Sequence, residues 1–189
     1  MKLIVFGGSF NPLHTGHLFI AEETRNELGY DKVLFVPSNI SSHKDDFTGL
    51  SPQIRLEMLQ EGLKNYDYFM IDTCDIDRGG ISWSIDTIEH VYRNYSFSGK
   101  PGFIIGDDLL EGFKSWRNVE KLRSLIDLVV VKRNSIHKIE SDLPDYYIDN
   151  SILPVSSTEI RNRVKLGKTI RHLVPEAVRL KILQNGYYR

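Results

Sequence analysis

The sequence predicts an α/β fold in which a doubly wound parallel sheet is connected by crossover helices. Short apolar runs alternate with helical patterns from residue 2 onward, which is typical of strand–helix–strand units. The runs are almost continuously apolar, as expected for strands that are buried on both faces. A chain of 189 residues is long enough for one well-buried domain and too short for two of full size, so we expect a single domain over residues 1–189.

Five segments are predicted to be strands: KLIVF (residues 2–6), KVLFVPS (32–38), YFMIDTCDI (68–76), PGFIIG (101–106) and IDLVVVKR (126–133). The segment between the first two has Leu18, Ile20 and Leu28 at helical spacing. Gly29 follows as a suitable C-terminal cap. The first strand, this helix and the second strand therefore form one complete unit.

The remaining helices are predicted from capping residues and from periodicity. Ser51 and Pro52 suit the N-cap and first position of a helix over 51–63, and further crossover helices are expected over 82–95 and 115–125. The acidic segment 134–151 is predicted to be a loop. Two more helices, 156–167 and 175–186, are expected to form a C-terminal helical segment of the same domain.

Composition excludes several classes of function. The 24 basic and 25 acidic residues give a net charge of −1, so no overall basic surface for nucleic acid is expected. No segment resembles a signal peptide or is long enough to span a membrane. The single cysteine, Cys74, cannot form an internal disulfide and is expected to be a buried, inert thiol. We expect a cytoplasmic protein without a nucleic-acid or membrane partner, and the oligomeric state, including a homo-oligomer, is left open.

The segment GGSFNPLHTGH (residues 7–17) lies in the first strand-to-helix turn, where parallel sheets commonly bind phosphates. Gly7 and Gly8 allow close approach of a ligand to the backbone, and Ser9 offers a hydroxyl. His14 and His17 share one face at the start of the helix, where both can donate to phosphate oxygens. Separately, these residues suit a tight turn, structural histidines or half of a metal site that lacks an obvious third ligand. Together these residues indicate a site that binds an anion such as phosphate.

Two later segments carry weaker signals by themselves. In VSSTEIRNRV (155–164), Ser156 or Ser157 can cap a helix that carries Arg161, and the alternative is an ordinary solvated helix. In FIIGDDLLEGFKSW (103–116), two aspartates follow a glycine at a strand end, and the alternative is a loop that caps the next helix. For the tryptophans, we expect Trp83 to be buried in the core and Trp116, in a polar stretch, to be exposed in a cleft.

GGSFNPLHTGH resembles the signature of the nucleotidyltransferase superfamily, whose glycine-rich turn and HxGH element hold the phosphates of a nucleoside triphosphate. SSTEIR resembles the superfamily's SSTxIR motif, and Gly106 with Asp108 matches a GxD element that contacts the ATP ribose. The resemblance implies a Rossmann-like sheet. It also implies these ATP-binding residues: Gly7, Gly8, Ser9, Phe10, His14, His17, Gly106, Asp108, Ser156, Ser157 and Arg161.

DRGGISWSIDTI (77–88) resembles the segment that binds the pyridine ring in nicotinate mononucleotide adenylyltransferases. The resemblance implies that Trp116 stacks on this ring, and that Ser84, Arg117 and Lys44 complete the acceptor site. His43 and Lys44, in SSHK (41–44), occupy positions that the family places near the phosphates. Three features depart from the family: SS (41–42) stands where a proline pair is usual, SWS (82–84) replaces SYT, and Arg117 replaces an aromatic residue.

The activity implied by the resemblance is transfer of AMP from ATP to nicotinate mononucleotide, which yields nicotinate adenine dinucleotide and pyrophosphate. The acceptor phosphate is itself the nucleophile, so no protein nucleophile or base is required. His14, His17, Lys44 and Arg161 are expected to neutralise charge on the phosphates. We expect Mg²⁺ to be held mainly by phosphates and water, and the sequence offers no obvious protein cage for a metal.

Four alternatives remain at this point. Nicotinamide mononucleotide or phosphopantetheine would be another acceptor for the same chemistry, although Trp116 and GGISWSIDT count against phosphopantetheine. HTGH also resembles the HIGH element of class I aminoacyl-tRNA synthetases, but the chain has no KMSKS-like motif and no room for tRNA-binding domains. The fourth alternative is a non-catalytic nucleotide sensor, which the retained phosphate-contacting residues disfavour.

Overall fold

A computed structural model describes residues 1–42, 50–133 and 141–189. The elements in chain order are β1 (Leu3–Gly8), α1 (Thr15–Leu28), β2 (Lys32–Pro37), β3 (Ile40–Ser41), α2 (Pro52–Leu63), β4 (Phe69–Ile71), α3 (Cys74–Arg78), β5 (Ile81–Ser82), α4 (Ser84–Asn94), β6 (Gly102–Gly106), α5 (Val119–Leu125), β7 (Asp127–Val131), β8 (Tyr146–Ile148), α6 (Ser157–Lys165) and α7 (Glu176–Asn185). Within the described ranges, every helix is too short or too polar to cross a bilayer.

Six of the strands form one parallel sheet in the order β4-β2-β1-β6-β7-β8. The chain winds outward from β1 to β2 and β4, and then returns to the other side of β1 with β6, β7 and β8. The order therefore reverses between β1 and β6, and in such sheets ligands bind beyond the carboxyl ends of the strands at this point. The predicted Rossmann-like fold class is confirmed.

Helices cover both faces of this sheet because successive strand residues point to opposite sides. Val5 and Leu34 pack with residues of α4 and α5, including Ile88 and Leu122. On the other face, the alternate strand positions pack with α1 and α2; their fully buried members include Ile4, Val33 and Phe35. A strand that is buried on both faces exposes neither set of side chains to water, which explains why the strand segments of the sequence are almost continuously apolar.

A third apolar cluster attaches the C-terminal helices to α2. Met58 of α2 packs with Ile160 of α6 and with Val178 and Ile182 of α7, and all four are fully buried. The two predicted C-terminal helices are confirmed, and their packing brings the start of α6 to the carboxyl end of β1.

Local capping predictions agree with the structure. Gly29 adopts a left-handed conformation (φ 65°) at the end of α1, and its N–H bonds to the carbonyl of Arg25. The Ser51 hydroxyl accepts from the N–H of Ile54 at 3.3 Å, with Pro52 in the first helical turn.

The predicted strand over 68–76 is wrong in its second half. The strand ends at Ile71, and the carboxylate of Asp72 accepts the N–H of Cys74 at 2.7 Å as α3 begins. Side chains that bond to the backbone two residues ahead compete with strand ladders, and the apolar pattern did not reveal this. Cys74 is buried, as expected.

Two further boundaries also differ from the predictions. The helix predicted over 115–125 begins only at Val119, because Asn118 is left-handed (φ 51°) and Phe113–Ser115 form a 3-10 turn. The segment predicted to be a loop contains β8, which pairs with β7. Hydrogen bonds fix this short edge strand at both ends: the Asp145 carboxylate accepts the N–H of Leu128, and the Asn150 amide bonds to both backbone groups of Lys132.

Candidate active site

A cavity of about 300 Å³ opens where the strand order reverses. The glycine-rich turn after β1 and the start of α1 form one wall, and the start of α6 forms another. The carboxyl end of β6 and residues 131–133 after β7 line the opposite side. Elements that are far apart in the sequence thus meet at the position where a ligand is expected in this fold class.

The turn after β1 is shaped by close packing beneath it. A Cβ atom on Gly8 would lie 3.2 Å from the ring of Phe10, whereas one on Gly7 would meet nothing within 4 Å. Phe10 has a positive φ of 44°, and its buried ring packs edge-on against Phe6 and tilted against Phe35. Phe10 therefore supports the turn from the core side, and Ser9 lines the cavity beside it.

The two histidines are fixed in one arrangement at the start of α1. The backbone N–H of His14 donates to Nδ1 of His17 at 3.2 Å, and the rings stack with centroids 3.6 Å apart. A neutral imidazole that accepts at Nδ1 carries its proton at Nε2, so His17 is a hydrogen-bond donor through Nε2. His14 is 4% exposed, and both rings line the cavity.

Arg55, which sequence reasoning missed, holds the turn from behind. Its guanidinium donates to the backbone carbonyls of Ser9 (2.7 Å), Ser38 (2.7 Å) and Asn39 (2.9 Å). The side chain is 4% exposed, and burial lowers the pKa of the guanidinium. A signal was available, because Arg55 precedes Met58, Leu59 and Gly62 on the buried face of α2. A charged side chain on the buried, apolar face of a helix indicates that other groups of the protein hydrogen-bond to it.

The start of α6 is joined to the same turn. Ser156 is the N-cap, and its hydroxyl accepts from the N–H of Glu159 at 3.1 Å. The Ser157 hydroxyl donates to the carbonyl of Pro12 at 3.0 Å. Arg161 donates to the carbonyl of Asn11 at 2.9 Å. The serines predicted as alternative caps therefore have separate roles, and Arg161 holds the turn as well as lining the cavity.

Tyr188, near the C-terminus, completes the support of the turn and was also missed. Its hydroxyl donates to Oδ1 of Asn11 at 2.5 Å, and burial raises the pKa of the phenol. Tyr188 is left-handed (φ 65°), a conformation that costs a residue with a side chain roughly 1–2 kcal/mol. Packing and this hydrogen bond hold it there.

At the end of β6, the GxD element faces the cavity from the other side. A Cβ on Gly106 would lie 2.2 Å from Oδ1 of Asp108 and 2.4 Å from Cδ of Arg133, so a side chain there would displace both of these side chains. Arg133 donates to both carboxylate oxygens of Asp108 at 3.3 Å, while Asp107 accepts the N–H of Arg133 at 3.0 Å. Arg133, a cavity residue that sequence reasoning did not select, thus sets the position of Asp108.

A second cavity of about 170 Å³ adjoins the first. Ser42, Ser84 and Trp116 line both cavities, so the two spaces share one wall. Trp116 is half-buried, with one side against Phe103 and Phe113. The structure therefore places Ser84 and Trp116 together, as the sequence predicts.

Trp83 and Arg117 also line the second cavity. The prediction that Trp83 is buried in the core is wrong: the residue is half-buried, because its ring packs against the core on one side only. The Arg117 guanidinium lies 5.5 Å from the centroid of the Trp83 ring and 3.8 Å from the carboxylate of Asp86. A positive charge is thereby placed at the rim of the cavity. His43 and Lys44, also predicted to contact ligand, lie outside the described residues.

The carboxylates that line the larger cavity are engaged by protein groups. Asp75 accepts from Arg78 and, at 2.7 Å, from the hydroxyl of Thr87. Asp108 is paired with Arg133. The described lining therefore offers imidazole, guanidinium and backbone groups to a ligand rather than a carboxylate cage for a metal. This chemistry suits a phosphate that brings its own cation.

We predict that Tyr188→Phe lowers the free energy of unfolding by about 1–2 kcal/mol, because it removes the hydrogen bond to buried Asn11. The matched control is Tyr187→Phe, since the neighbouring ring is half-buried on the third apolar cluster. Tyr187→Phe should lower the free energy of unfolding by no more than about 0.5 kcal/mol. Urea unfolding of the two variants measures the difference, and equal losses would show that the Tyr188 hydroxyl contributes nothing specific.

Comparison with known proteins agrees with this geometry. Residues 5–163 match the family model described as "Cytidylyltransferase-like". A protein of Borreliella afzelii named "Probable nicotinate-nucleotide adenylyltransferase" is 40% identical over 188 residues, which cover all of this chain and 97% of the relative. A protein of Treponema pallidum with the same name is 34% identical, with full coverage of both chains.

A solved structure of a related protein has the same fold as this chain. It is the nicotinic acid mononucleotide adenylyltransferase of Plasmodium falciparum in complex with NaAD, which superposes with a TM-score of 0.76. The match covers 100% of this chain and 98% of the other, and at 20% identity it supports the fold alone. From the family model and the full-length relatives, the chain belongs to the nicotinate-nucleotide adenylyltransferase family, among the cytidylyltransferase-like proteins.

Proposed function

We propose that this protein transfers AMP from ATP to nicotinate mononucleotide, which yields nicotinate adenine dinucleotide and pyrophosphate in NAD biosynthesis. The observation that carries the proposal is the pair of adjoining cavities. One is lined by donors suited to phosphates and the other by an indole and a guanidinium suited to an aromatic acid, and Ser42, Ser84 and Trp116 line both. The names of the full-length relatives support the same activity.

ATP would occupy the larger cavity, with its ribose towards Gly106 and Asp108. Its triphosphate would lie between the glycine-rich turn and the start of α6. His17, as a donor through Nε2, lines that space together with His14 and Arg161. Ser9, Ser156 and Ser157 add hydroxyl or backbone donors. We propose one domain over residues 1–189, since α1 and α6 both contribute to this cavity.

The acceptor would enter the second cavity with its pyridine ring on Trp116 and Ser84. The phosphate oxygen of nicotinate mononucleotide attacks the α-phosphorus of ATP, a new P–O bond forms, and the bond to the bridging oxygen breaks to release pyrophosphate. The nucleophile is already ionised at neutral pH, so catalysis consists of positioning and of stabilising charge. His14, His17, Arg161 and Lys44 are proposed to supply that charge stabilisation.

Arg117 supports the acid rather than the amide as acceptor. Its guanidinium adds a positive charge at the rim of the acceptor cavity, and guanidinium–carboxylate pairs are strong and directional. An uncharged carboxamide would gain less from that charge.

ATP is proposed to bind as its Mg²⁺ complex, in which the cation offsets charge on the phosphates. The engagement of Asp75 and Asp108 by protein partners fits a cation held mainly by phosphates and water. We also propose a cytoplasmic location, where ATP is available.

The direct test is to incubate the protein with ATP and Mg²⁺ and to follow pyrophosphate release with nicotinate mononucleotide, nicotinamide mononucleotide and phosphopantetheine in parallel. We expect release with the first and the dinucleotide as product. A higher kcat/KM with the amide would reassign the acceptor. No release with any acceptor, by a protein that still binds ATP, would instead indicate a nucleotide sensor.

We predict that His17→Ala lowers kcat at least ~100-fold, because it removes a preorganised donor that stabilises charge in the transition state. The matched control is Glu27→Ala, an exposed position on the same helix, and it should leave kcat unchanged. Steady-state kinetics with pyrophosphate detection compare the two. A near-normal kcat for His17→Ala would remove this side chain from the mechanism.

For the acceptor, we predict that Trp116→Ala raises the KM for nicotinate mononucleotide more than the KM for ATP, because the stacking surface is lost. Trp116→Phe keeps an aromatic face and should restore most of the acceptor affinity. If both KM values rise equally in Trp116→Ala, the ring serves the core through Phe103 and Phe113 rather than the acceptor.

A further inference from the structure

Three side chains that commonly bind metals lie together and are not among the residues that line either cavity. Asp72 follows β4 at the sheet edge, Cys74 begins α3, and His90 lies on α4. One ligand atom from each lies within 4.8 Å of the other two. The proposed adenylyl transfer assigns no role to any of them.

Hydrogen bonds orient the carboxylate of this group. Oδ2 of Asp72 lies 3.0 Å from Nε2 of His90 and accepts from the hydroxyl of Tyr95 at 2.6 Å. Oδ1 accepts the N–H of Cys74 at 2.7 Å. Burial acts to raise the pKa of Asp72, but the hydrogen bonds from Tyr95 and Cys74 lower it overall. The amide nitrogen of Asn94, which donates to the carbonyl of His90 at 2.9 Å, also lies 3.3 Å from Nδ1 of His90 and donates to it. His90 therefore carries its proton at Nε2, which donates to Asp72.

The types of ligand atom in this group determine which cation it favours. A thiol, an imidazole and a carboxylate suit zinc, whereas magnesium and calcium require oxygen donors. Zinc bonds of about 2.0–2.3 Å place tetrahedral ligand atoms roughly 3.3–3.8 Å apart, so small side-chain rotations would close the present group around an ion. His90 is partly exposed, with 29% of its side chain accessible, which leaves a side open to a water ligand.

We propose that Asp72, Cys74 and His90 form a binding site for Zn²⁺, with water as the fourth ligand. Binding would form bonds from the metal to a carboxylate oxygen, Sγ and Nε2. The thiol proton would pass to solvent, and the imidazole proton would move from Nε2 to Nδ1. Because a ligating sulfur is a thiolate, proton release accompanies binding.

Such an ion would connect the two helices that flank the acceptor segment. Cys74 is in α3 and His90 is in α4, and residues 79–83 between these helices lead to Ser84 at the acceptor cavity. The ion would therefore fix the base of this segment without contacting either substrate.

Cobalt substitution tests the site, because Co²⁺ replaces zinc and reports its ligands by absorption. The full-length protein, freed of metal with a chelator, is titrated with Co²⁺ in the presence of excess Mg²⁺. We expect one equivalent to produce the intense visible bands of a tetrahedral ion and a near-ultraviolet band from thiolate, both abolished by added Zn²⁺. Absence of these bands in the wild-type protein would overturn the proposal, whatever the variants do.

Variants identify the ligands. Cys74→Ser should abolish the thiolate band, and His90→Gln should weaken Co²⁺ binding by more than the roughly 10–100-fold that loss of an outer partner costs. The matched control is Asp77→Asn, an exposed carboxylate on the same helix that accepts from the Thr73 hydroxyl, and it should bind Co²⁺ as the wild type does. A thiolate band that persists in Cys74→Ser, or equal weakening in Asp77→Asn, would contradict the assignment.

Discussion

The site depends on the hydrogen bonds that the buried guanidinium of Arg55 donates to backbone carbonyls. The turn after β1 leaves the sheet at Gly8, so the carbonyls beyond it have no strand partner, and a buried carbonyl without a partner is costly. Arg55 satisfies the carbonyl of Ser9 in this turn and the carbonyls of Ser38 and Asn39, which follow β2. It thereby joins the ends of β1 and β2 to α2. The turn is fixed by the protein itself, so that binding a phosphate requires little ordering.

The C-terminal helices also hold the turn after β1 in place through hydrogen bonds. Arg161 and Tyr188 bond to the backbone and side chain of Asn11, and Ser157 bonds to the carbonyl of Pro12. These residues are 145 to 177 positions away in the sequence from the turn they support. The tail is therefore part of the nucleotide site, and Arg161 is held in place by the turn that it supports. Preorganised donors of this kind are what phosphoryl transfer needs.

Much of the fold follows from the sequence, because buried parallel strands and capped helices leave local patterns. The strands around residues 2–6, 32–38, 101–106 and 126–133, and both C-terminal helices, were predictable in this way. Polar side-chain bonds to the backbone were not predictable in this way. The Asp72 side chain bonds to the backbone of Cys74 where β4 ends early, and Asp145 and Asn150 bond to the backbone beside β7 and hold β8 in an apparent loop. In the site, motifs identified residues that line the cavity, whereas Arg55 and Tyr188 act behind them through tertiary contacts. The position of Arg55 on the buried face of α2 indicated a partner without naming it, and no local pattern indicated Tyr188.

The central claim is that the two cavities form one site in which ATP and the acceptor meet. Equilibrium binding of nicotinate adenine dinucleotide, measured by calorimetry, tests this most directly, because that molecule must span both cavities. We expect a non-hydrolysable ATP analogue alone, and nicotinate mononucleotide alone, each to weaken dinucleotide binding competitively. Undiminished binding of the dinucleotide in the presence of saturating amounts of either ligand would contradict a shared site.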